Sequence, residues 1–550
     1  MRKSAHRFLG EFHVHKNTFV QGALILTVAG LLVKFIGAFS RIYLSRLLGG
    51  EGIGLYQMAY PIYLLCLAVS SAGLPVAISI MVAEKNAVHD YLGGQRVFRI
   101  SLMALTATGL FFSALLYFGA QWLIDSGIVR DPRAYWSLLA LSPAILMATV
   151  LATLRGYFQG LQNMTPTAVS QIVEQLFRVV IMIGLAVLLM PHGLEFGAAG
   201  ATFGAAPGAF VGILVLLVFY WKNRGWRKEM KAAQDPSIVP DTTGKIIRRL
   251  LMLALPVSLA NIMLPIVSNI DLIIVPRRLE VAGFAVEEAT TLFGYLTGMA
   301  TALVNMPTIM TASLAASLVP VISEAMARRN PDVIAQRTGL AMRMANVITV
   351  PSFVGMCVIA TPISAMLYAT PEAGPCIAVM SFGVFLLGVQ QVTTGVLQGM
   401  GRTAIPFLNM VVSACVKILL SWNLTAMPSL GVLGAAWATN ADFGVAALLN
   451  LYFLHKYMKY KMDIAHTLRC FLSAGAMGAA VLGVYSVMYP VLHSNTLATL
   501  AAIGAGVVVY AFAIVLTHTV RAEDVEGVPK IGRKLAAGIR KIDIFGKKES

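Results

Sequence analysis

The sequence predicts an all-α polytopic membrane protein of about 14 transmembrane helices, arranged as two parallel six-helix repeats followed by two C-terminal helices. Three observations predict it. Of 550 residues, 58% are hydrophobic and 12% charged, against roughly 25% charged in an ordinary soluble protein. Apolar runs suited to a bilayer core of about 30 Å, which takes roughly 20 residues per helix, recur along the whole chain. Finally, two blocks of the sequence match each other, and no polar stretch large enough for a separate catalytic domain lies between the runs.

The first two apolar spans, near 18–48 and 53–83, are divided only by a glycine-rich segment around Gly49, Gly50 and Gly52. Spans three to six lie near 97–123, 134–158, 166–190 and 197–221, and spans seven to nine near 246–276, 289–322 and 337–367. Spans ten to twelve follow near 373–398, 404–426 and 431–455, and the last two near 467–489 and 495–518. The first, second, seventh, eighth and ninth are longer than the bilayer needs, so they must tilt or bend. The domain organisation that results is a tail at 1–17, an N-lobe at 18–221, a basic inter-lobe loop at 222–249, a C-lobe at 250–455, the last two helices within 456–518, and a basic tail at 519–550. The first apolar run continues without a small-residue cleavage site, so it reads as a retained helix and not as a cleaved signal peptide.

The net charge of +17 gains meaning once the charges are placed. Of 42 Lys and Arg residues, 33 fall on one side of the spans, including Lys85, Arg155 and the loop from Lys222 to Arg249; four (Arg130, Arg133, Arg277 and Arg278) fall on the other. The positive-inside rule makes the first side, with both termini, cytoplasmic. The charge then reflects topology in a bacterial plasma membrane and attraction to its anionic lipids, not nucleic-acid binding.

The repeat is read from short matches. Phe158-Gln159-Gly160-Leu161 corresponds to Leu397-Gln398-Gly399-Met400, and eighteen residues beyond each glycine a basic residue, Arg178 or Lys417, interrupts an apolar span. Gly200-Ala201-Thr202 matches Gly434-Ala435-Ala436, and Pro75 with Glu84 parallels Pro320 with Glu324. Six helices per copy is an even number, so the copies share one orientation, and transporters of this plan bind substrate between their halves.

A charge near the bilayer centre costs at least about 2.5–3.5 kcal/mol on insertion scales, which makes intramembrane ionisable groups functional candidates. Lys34, Arg41, Arg46, Glu174, Arg178, Asp271, Lys417 and Asp442 qualify. Lys34 and Arg41 are two helical turns apart and share a face. Arg46 lies near a span end, where it can snorkel to the headgroups. Glu174 and Arg178, at i and i+4 with the acid first, suit a pair within one helix, structural or functional. With five cations against three acids, an anion-attracting cavity lined by Lys34, Arg41, Arg178 and Lys417 is the expectation, with Glu174, Asp271 and Asp442 as charge partners or ion-coupling groups. Pro61, Pro75, Pro256, Pro265, Pro307 and Pro320 fall within spans, where a proline frees carbonyls and bends the helix. Gly200, Gly204, Gly208 and Gly212 form a stripe that permits close helix approach.

No Walker A, TVGYG, HExxH or GxSxG sequence occurs, so the chain is expected to be neither an ATPase of that type, a potassium channel nor an enzyme. Five scattered cysteines, and the closely spaced His13 and His15 of the tail, give no disulfide framework, metal site or cofactor.

Several segments are similar to the stage V sporulation protein B and polysaccharide biosynthesis branch of the multidrug/oligosaccharidyl-lipid/polysaccharide exporters. They are Asn17-Thr18-Phe19, Gly37-Ala38-Phe39-Ser40-Arg41, Leu48-Gly49-Gly50-Glu51-Gly52-Ile53-Gly54-Leu55-Tyr56-Gln57 and Ser71-Ala72-Gly73-Leu74-Pro75. The likeness covers about residues 17–520 and implies a MATE/MurJ-like fold. It further implies a flippase for undecaprenyl-diphosphate-linked precursors such as lipid II, with the lipid-linked oligosaccharide and membrane lipids, and cell-wall synthesis proteins, as its partners. Arg41 falls near the first-helix arginine of MurJ-type proteins. Tyr60-Pro61 stands where that pattern has a basic residue before the proline, and Ala302 and Asn305 replace charged residues. Two other readings are a cation-coupled multidrug exporter and a non-transporting scaffold of the wall-synthesis machinery.

Overall fold

The computed structural model describes residues 16–71, 73–232, 234, 238 and 241–519. The N-terminal tail with His13 and His15, and the basic tail from residue 520 onward, lie outside these. The spans become helices, introduced here in chain order. Helix α1 (Lys16–Ser71) leaves helical geometry at Gly49, whose φ of 65° and ψ of −172° divide it into the first two expected spans. Helix α2 is Leu74–Ala87, α3 Tyr91–Asp125, α4 Tyr135–Gly160 and α5 Thr165–Leu189. The sixth span is two helices, α6 (Leu194–Phe203) and α7 (Ala205–Lys222), and the basic loop opens with α8 (Arg224–Ala232).

The second half follows with α9 (Thr243–Val281), α10 (Val286–Phe293), a π-helical turn at Gly294–Ala300 and α11 (Thr301–Ala327). Next come α12 (Pro331–Val358), α13 (Ala360–Tyr368), α14 (Gly374–Gly399), α15 (Ala404–Leu424), α16 (Val432–Met458), α17 (Ile464–Leu492) and α18 (Asn495–Leu516). Among the described residues, twelve stretches are long and apolar enough to cross a membrane. The first, Ile25–Ala87, contains two of the expected spans, and α9 occupies the place of the seventh, which accounts for fourteen.

Contacts divide the chain into two compact units. The first takes the described residues up to Leu48 and Leu55–Ile273; the second takes Gly49–Gly54 and the described residues from Ile274. The division falls within α9, because Ile246, Leu250 and Ala254 at its start are buried with Ile78, Val82, Leu154 and Phe158 in the first unit's core. The second unit's core gathers Leu318, Ile322, Val392, Val396 and Leu397.

These two cores show the repeat in three dimensions. A Cβ on Gly160 would lie 2.7 Å from Val82 Cβ and 2.8 Å from Ser79 O. One on Gly399 would lie 2.8 Å from Ile322 Cβ and 2.9 Å from Val319 O. The same close approach is therefore built twice. It also corrects one match: Pro75 packs on Gly156 as Ala315 packs on Gly395, so the counterpart of Pro75 is Ala315 and not Pro320. Pro75 itself sits in the first turn of α2, where a missing N–H costs no hydrogen bond. It starts a helix instead of bending one.

Within the second unit, the segment Gly49–Gly54 packs against the start of the eighth span. A side chain on Gly54 would collide with the Thr290 carbonyl and one on Gly294 with the Gly50 carbonyl. The most distinctive motif of the sequence is thus a backbone-to-backbone contact.

In the first unit, the turn between α2 and α3 holds the end of the inter-lobe loop by ion pairs: Lys85 Nζ to Asp90 at 2.9 Å and Asp241 at 2.6 Å, Lys245 to Asp241 at 2.7 Å and Arg249 to Glu84 at 2.6 Å. Gln234 donates to Asp90 and accepts from the Leu92 amide. Hydrogen bonds from Lys245 and Lys85 hold the Asp241 carboxyl down to about 2. Burial would push Asp90 up, but Lys85, the Gly93 amide and Gln234 outweigh it and hold it below its ordinary value. Both acids therefore stay ionised at neutral pH, and the clasp stays charged.

Candidate functional site

The glycine stripe of the sixth span positions the charges of α5. A Cβ on Gly204 would lie 2.8 Å from Arg178 O, and one on Gly208 2.8 Å from Arg178 Cβ and 3.0 Å from Glu174 O. Only glycine lets α7 lie this close to α5, and the contact fixes the turn of helix that carries both side chains. On its other side α5 meets α4, and there the charges combine. Glu174 Oε1 accepts from Arg178 Nη2 at 2.9 Å, while Glu174 Oε2 accepts from Arg155 Nη2 at 2.8 Å. Arg155 Nε also donates to Ser170 Oγ at 3.0 Å.

This differs from the sequence expectation in two ways. Arg155, grouped with the cytoplasmic charges, turns inward with a side chain 17% exposed, and Glu174 is shared instead of being matched to Arg178 alone. The triad therefore carries one uncompensated positive charge. The Nε–H of Arg178 is enclosed and has no acceptor among the described residues, a donor left available for a ligand.

Tyr56, Tyr60 and Tyr63 stand beside the triad. They sit at i, i+4 and i+7 on α1, one face of the helix. The rings of Tyr56 and Tyr60 stack with centroids 5.4 Å apart and planes inclined 21°, and Tyr63 continues the ladder at 5.6 Å. Arg41 lies close enough to Tyr56, and Arg178 to all three tyrosines, to act on them electrostatically. Arg41 is half-buried, whereas Lys34, two turns earlier, is exposed. Arg41, Arg155 and Arg178 against Glu174 leave two surplus positive charges around the tyrosines.

The second unit answers the same positions with different chemistry. By the register of the glycine contacts, Arg155, Ser170, Glu174 and Arg178 correspond to Thr394, Asn409, Ser413 and Lys417. Asn409 donates to Asn450 Oδ1 at 2.8 Å, and Asn450 donates to Thr393 and Thr394 at 3.2 and 3.0 Å. An amide network thus replaces the arginine–carboxylate triad. Asp442, aligned with Gly208, accepts from Ser413 Oγ at 2.6 Å, so the acid has moved from the helix of the cation to the facing helix. Lys417, only 4% exposed, lies one turn beyond Ser413.

Residues 19–326, more than half of the chain, match the polysaccharide biosynthesis protein family. The chain belongs to that family. Residues 256–423 of this polysaccharide biosynthesis protein also match the MatE family. Stage V sporulation protein B of Bacillus subtilis (strain 168) is 30% identical to it, over 94% of this chain and 99% of the relative. Lipid II flippase MurJ of the same organism is 26% identical, over 84% of this chain and 87% of the relative. Among solved structures, lipid II flippase MurJ in an inward closed conformation superposes with a TM-score of 0.66 at 16% identity, over 90% of this chain and 99% of that one. An inward-facing multidrug resistance MATE transporter of the MOP superfamily superposes with a TM-score of 0.64 at 16% identity, over 80% and 98%. The chain is accordingly a multi-pass membrane protein with the fold of these flippases and transporters.

The remaining candidates of the polysaccharide biosynthesis protein lie around this site or apart from it. Asn269 on α9 donates to the carbonyls of Pro61 and Pro265, both at 2.8 Å, so one amide takes up carbonyls at two proline positions. Asp271 is half-buried two residues further on. Helix α9 continues through Pro256, and α11 contains Pro307 and Pro320 directly after its π-helical turn. Among the described residues no group of three His, Cys, Asp or Glu converges as metal ligands would. The sequence reading missed Arg155 and the tyrosines. The i, i+4, i+7 spacing of the tyrosines was the available signal, whereas Arg155 and Glu174, nineteen residues apart, are joined only by the packing of α4 on α5.

Proposed function

We propose that this protein is a flippase that moves an undecaprenyl-diphosphate-linked cell-wall precursor, lipid II or a related polysaccharide unit, from the inner to the outer leaflet of the bacterial plasma membrane by alternating access, with both termini cytoplasmic. The observation that carries this reading is the surplus of two positive charges held by Arg41, Arg155 and Arg178 against Glu174 within membrane-spanning helices. A diphosphate is a dense anion whose lost hydration must be replaced by charge-assisted hydrogen bonds, and guanidinium groups make these in bidentate pairs. An organic cation would be repelled here. The family and the relatives named above support the same reading, Lys34 and Lys417 being candidates for further cation contacts.

The test is exposure of lipid II at the outer leaflet in cells depleted of their resident flippase and supplied with this protein. Exposure is expected to return with the wild type and to fail with Arg41→Ala and Arg178→Ala while both variants remain in the membrane. Full exposure with both variants would remove the cationic mechanism. No exposure with membrane-inserted wild type would redirect the assignment to another polyprenyl-linked glycan or to drug export.

A further inference from the structure

The tyrosine ladder asks for an explanation beyond anion binding. Tyr63 is buried, as a packing residue should be, but Tyr56 and Tyr60 are only partly buried. They present stacked aromatic faces near Arg178, whose side chain is 25% exposed and which shares Glu174 with the 17% exposed side chain of Arg155. A phosphate alone would use the arginines and leave the rings idle. An apolar cation would use the rings and be rejected by the charge. What uses both is a ligand that joins an anion directly to a ring with a C–H face, since the negative face of an aromatic ring attracts the weakly positive hydrogens of such a ring.

We propose that Tyr56 and Tyr60 form the subsite for the first sugar of a glycosyl diphosphate, with Arg178 and Arg155 on the diphosphate. This rests on the flippase reading and adds selectivity to it. Arginines alone favour an empty polyprenyl diphosphate, because its free terminal phosphate carries more negative charge than the sugar ester. Discrimination needs a contact that only the loaded carrier makes, and the tyrosine faces supply it. The ladder is held by its stacking on one face of α1, so the rings meet the sugar at a fixed place relative to the diphosphate.

The experiment is equilibrium binding to the purified full-length protein in nanodiscs, with two probes of equal charge: farnesyl diphosphate with a methyl ester on its terminal phosphate, and farnesyl diphosphate carrying N-acetylglucosamine there instead. The wild type is expected to bind the glycosylated probe about tenfold more tightly, in keeping with one sugar–aromatic contact. Tyr60→Leu, which keeps volume but not the ring, and Tyr56→Leu should each reduce that preference severalfold and leave binding of the methyl ester unchanged. Tyr60→Phe should retain the preference, and Arg178→Gln should weaken both probes alike. Equal binding of the two probes by the wild type, or a preference that survives the double Tyr56→Leu/Tyr60→Leu change, would overturn the sugar subsite while leaving the flippase reading intact. Binding of neither probe would count against both.

Discussion

Glu174 is the residue on which the site turns. Its two carboxylate oxygens are used by two arginines from different helices, so the side chain both restrains the cations and limits their mutual repulsion. Breaking a fully buried ion pair by removing one partner costs about 3–5 kcal/mol. With side chains 15–25% exposed here, Glu174→Gln is expected to cost about 2 kcal/mol, read as a lower melting temperature in detergent, whereas Glu174→Asp should keep most of the stability. A Gln variant that melts with the wild type would show that solvent already balances the arginines. Arg178 was legible from the sequence because a lone basic residue in an apolar run is conspicuous. Glu174 was legible only as its neighbour, since nothing in a linear reading says that a second arginine arrives from another helix. Tyr60 was legible as a departure from the MurJ-type pattern, but its stacking was not.

The helices place these residues through small side chains. Helix α7 lies on α5 at Gly204 and Gly208, with no room for a methyl group beside Arg178. Overpacking a close contact costs about 1–3 kcal/mol, so Gly208→Leu should lower the melting temperature and displace Arg178, abolishing outer-leaflet exposure. Gly184, also on α5, has open space where a Cβ would go, and Gly184→Ala should be neutral or stabilising by up to about 1 kcal/mol. Equal effects of the two changes would mean that the stripe does not position the site. The stripe was visible in the sequence as four glycines at intervals of four. Pro75 was misread at the same level, because a proline inside an apolar run looks the same whether it bends a helix or begins one; the chain breaks at Gly73, whose amide donates to Ser258 Oγ on α9 at 3.0 Å, a partner distant in sequence.

At the scale of the molecule, the number of spans and the duplication were readable because bilayer thickness and helix rise leave little freedom. The difference in chemistry between the copies was hidden. Asn450, 1% exposed, links Asn409 with Thr393 and Thr394 where the first copy has its triad. Asn450→Leu is expected to cost about 1–3 kcal/mol by leaving the buried Asn409 amide unsatisfied, with export per folded molecule retained. Loss of export at unchanged stability would place chemistry in the amide network as well.

The retained asymmetry has a kinetic consequence. A duplicated scaffold with two equal cationic clusters would offer an anionic cargo two resting places, and release from one would compete with capture by the other. Here the second copy sets its acid, Asp442, against Ser413, one turn of helix before Lys417, and fills the rest with amides. On the flippase reading proposed above, an anionic cargo then has a single strong tether, and one release frees it.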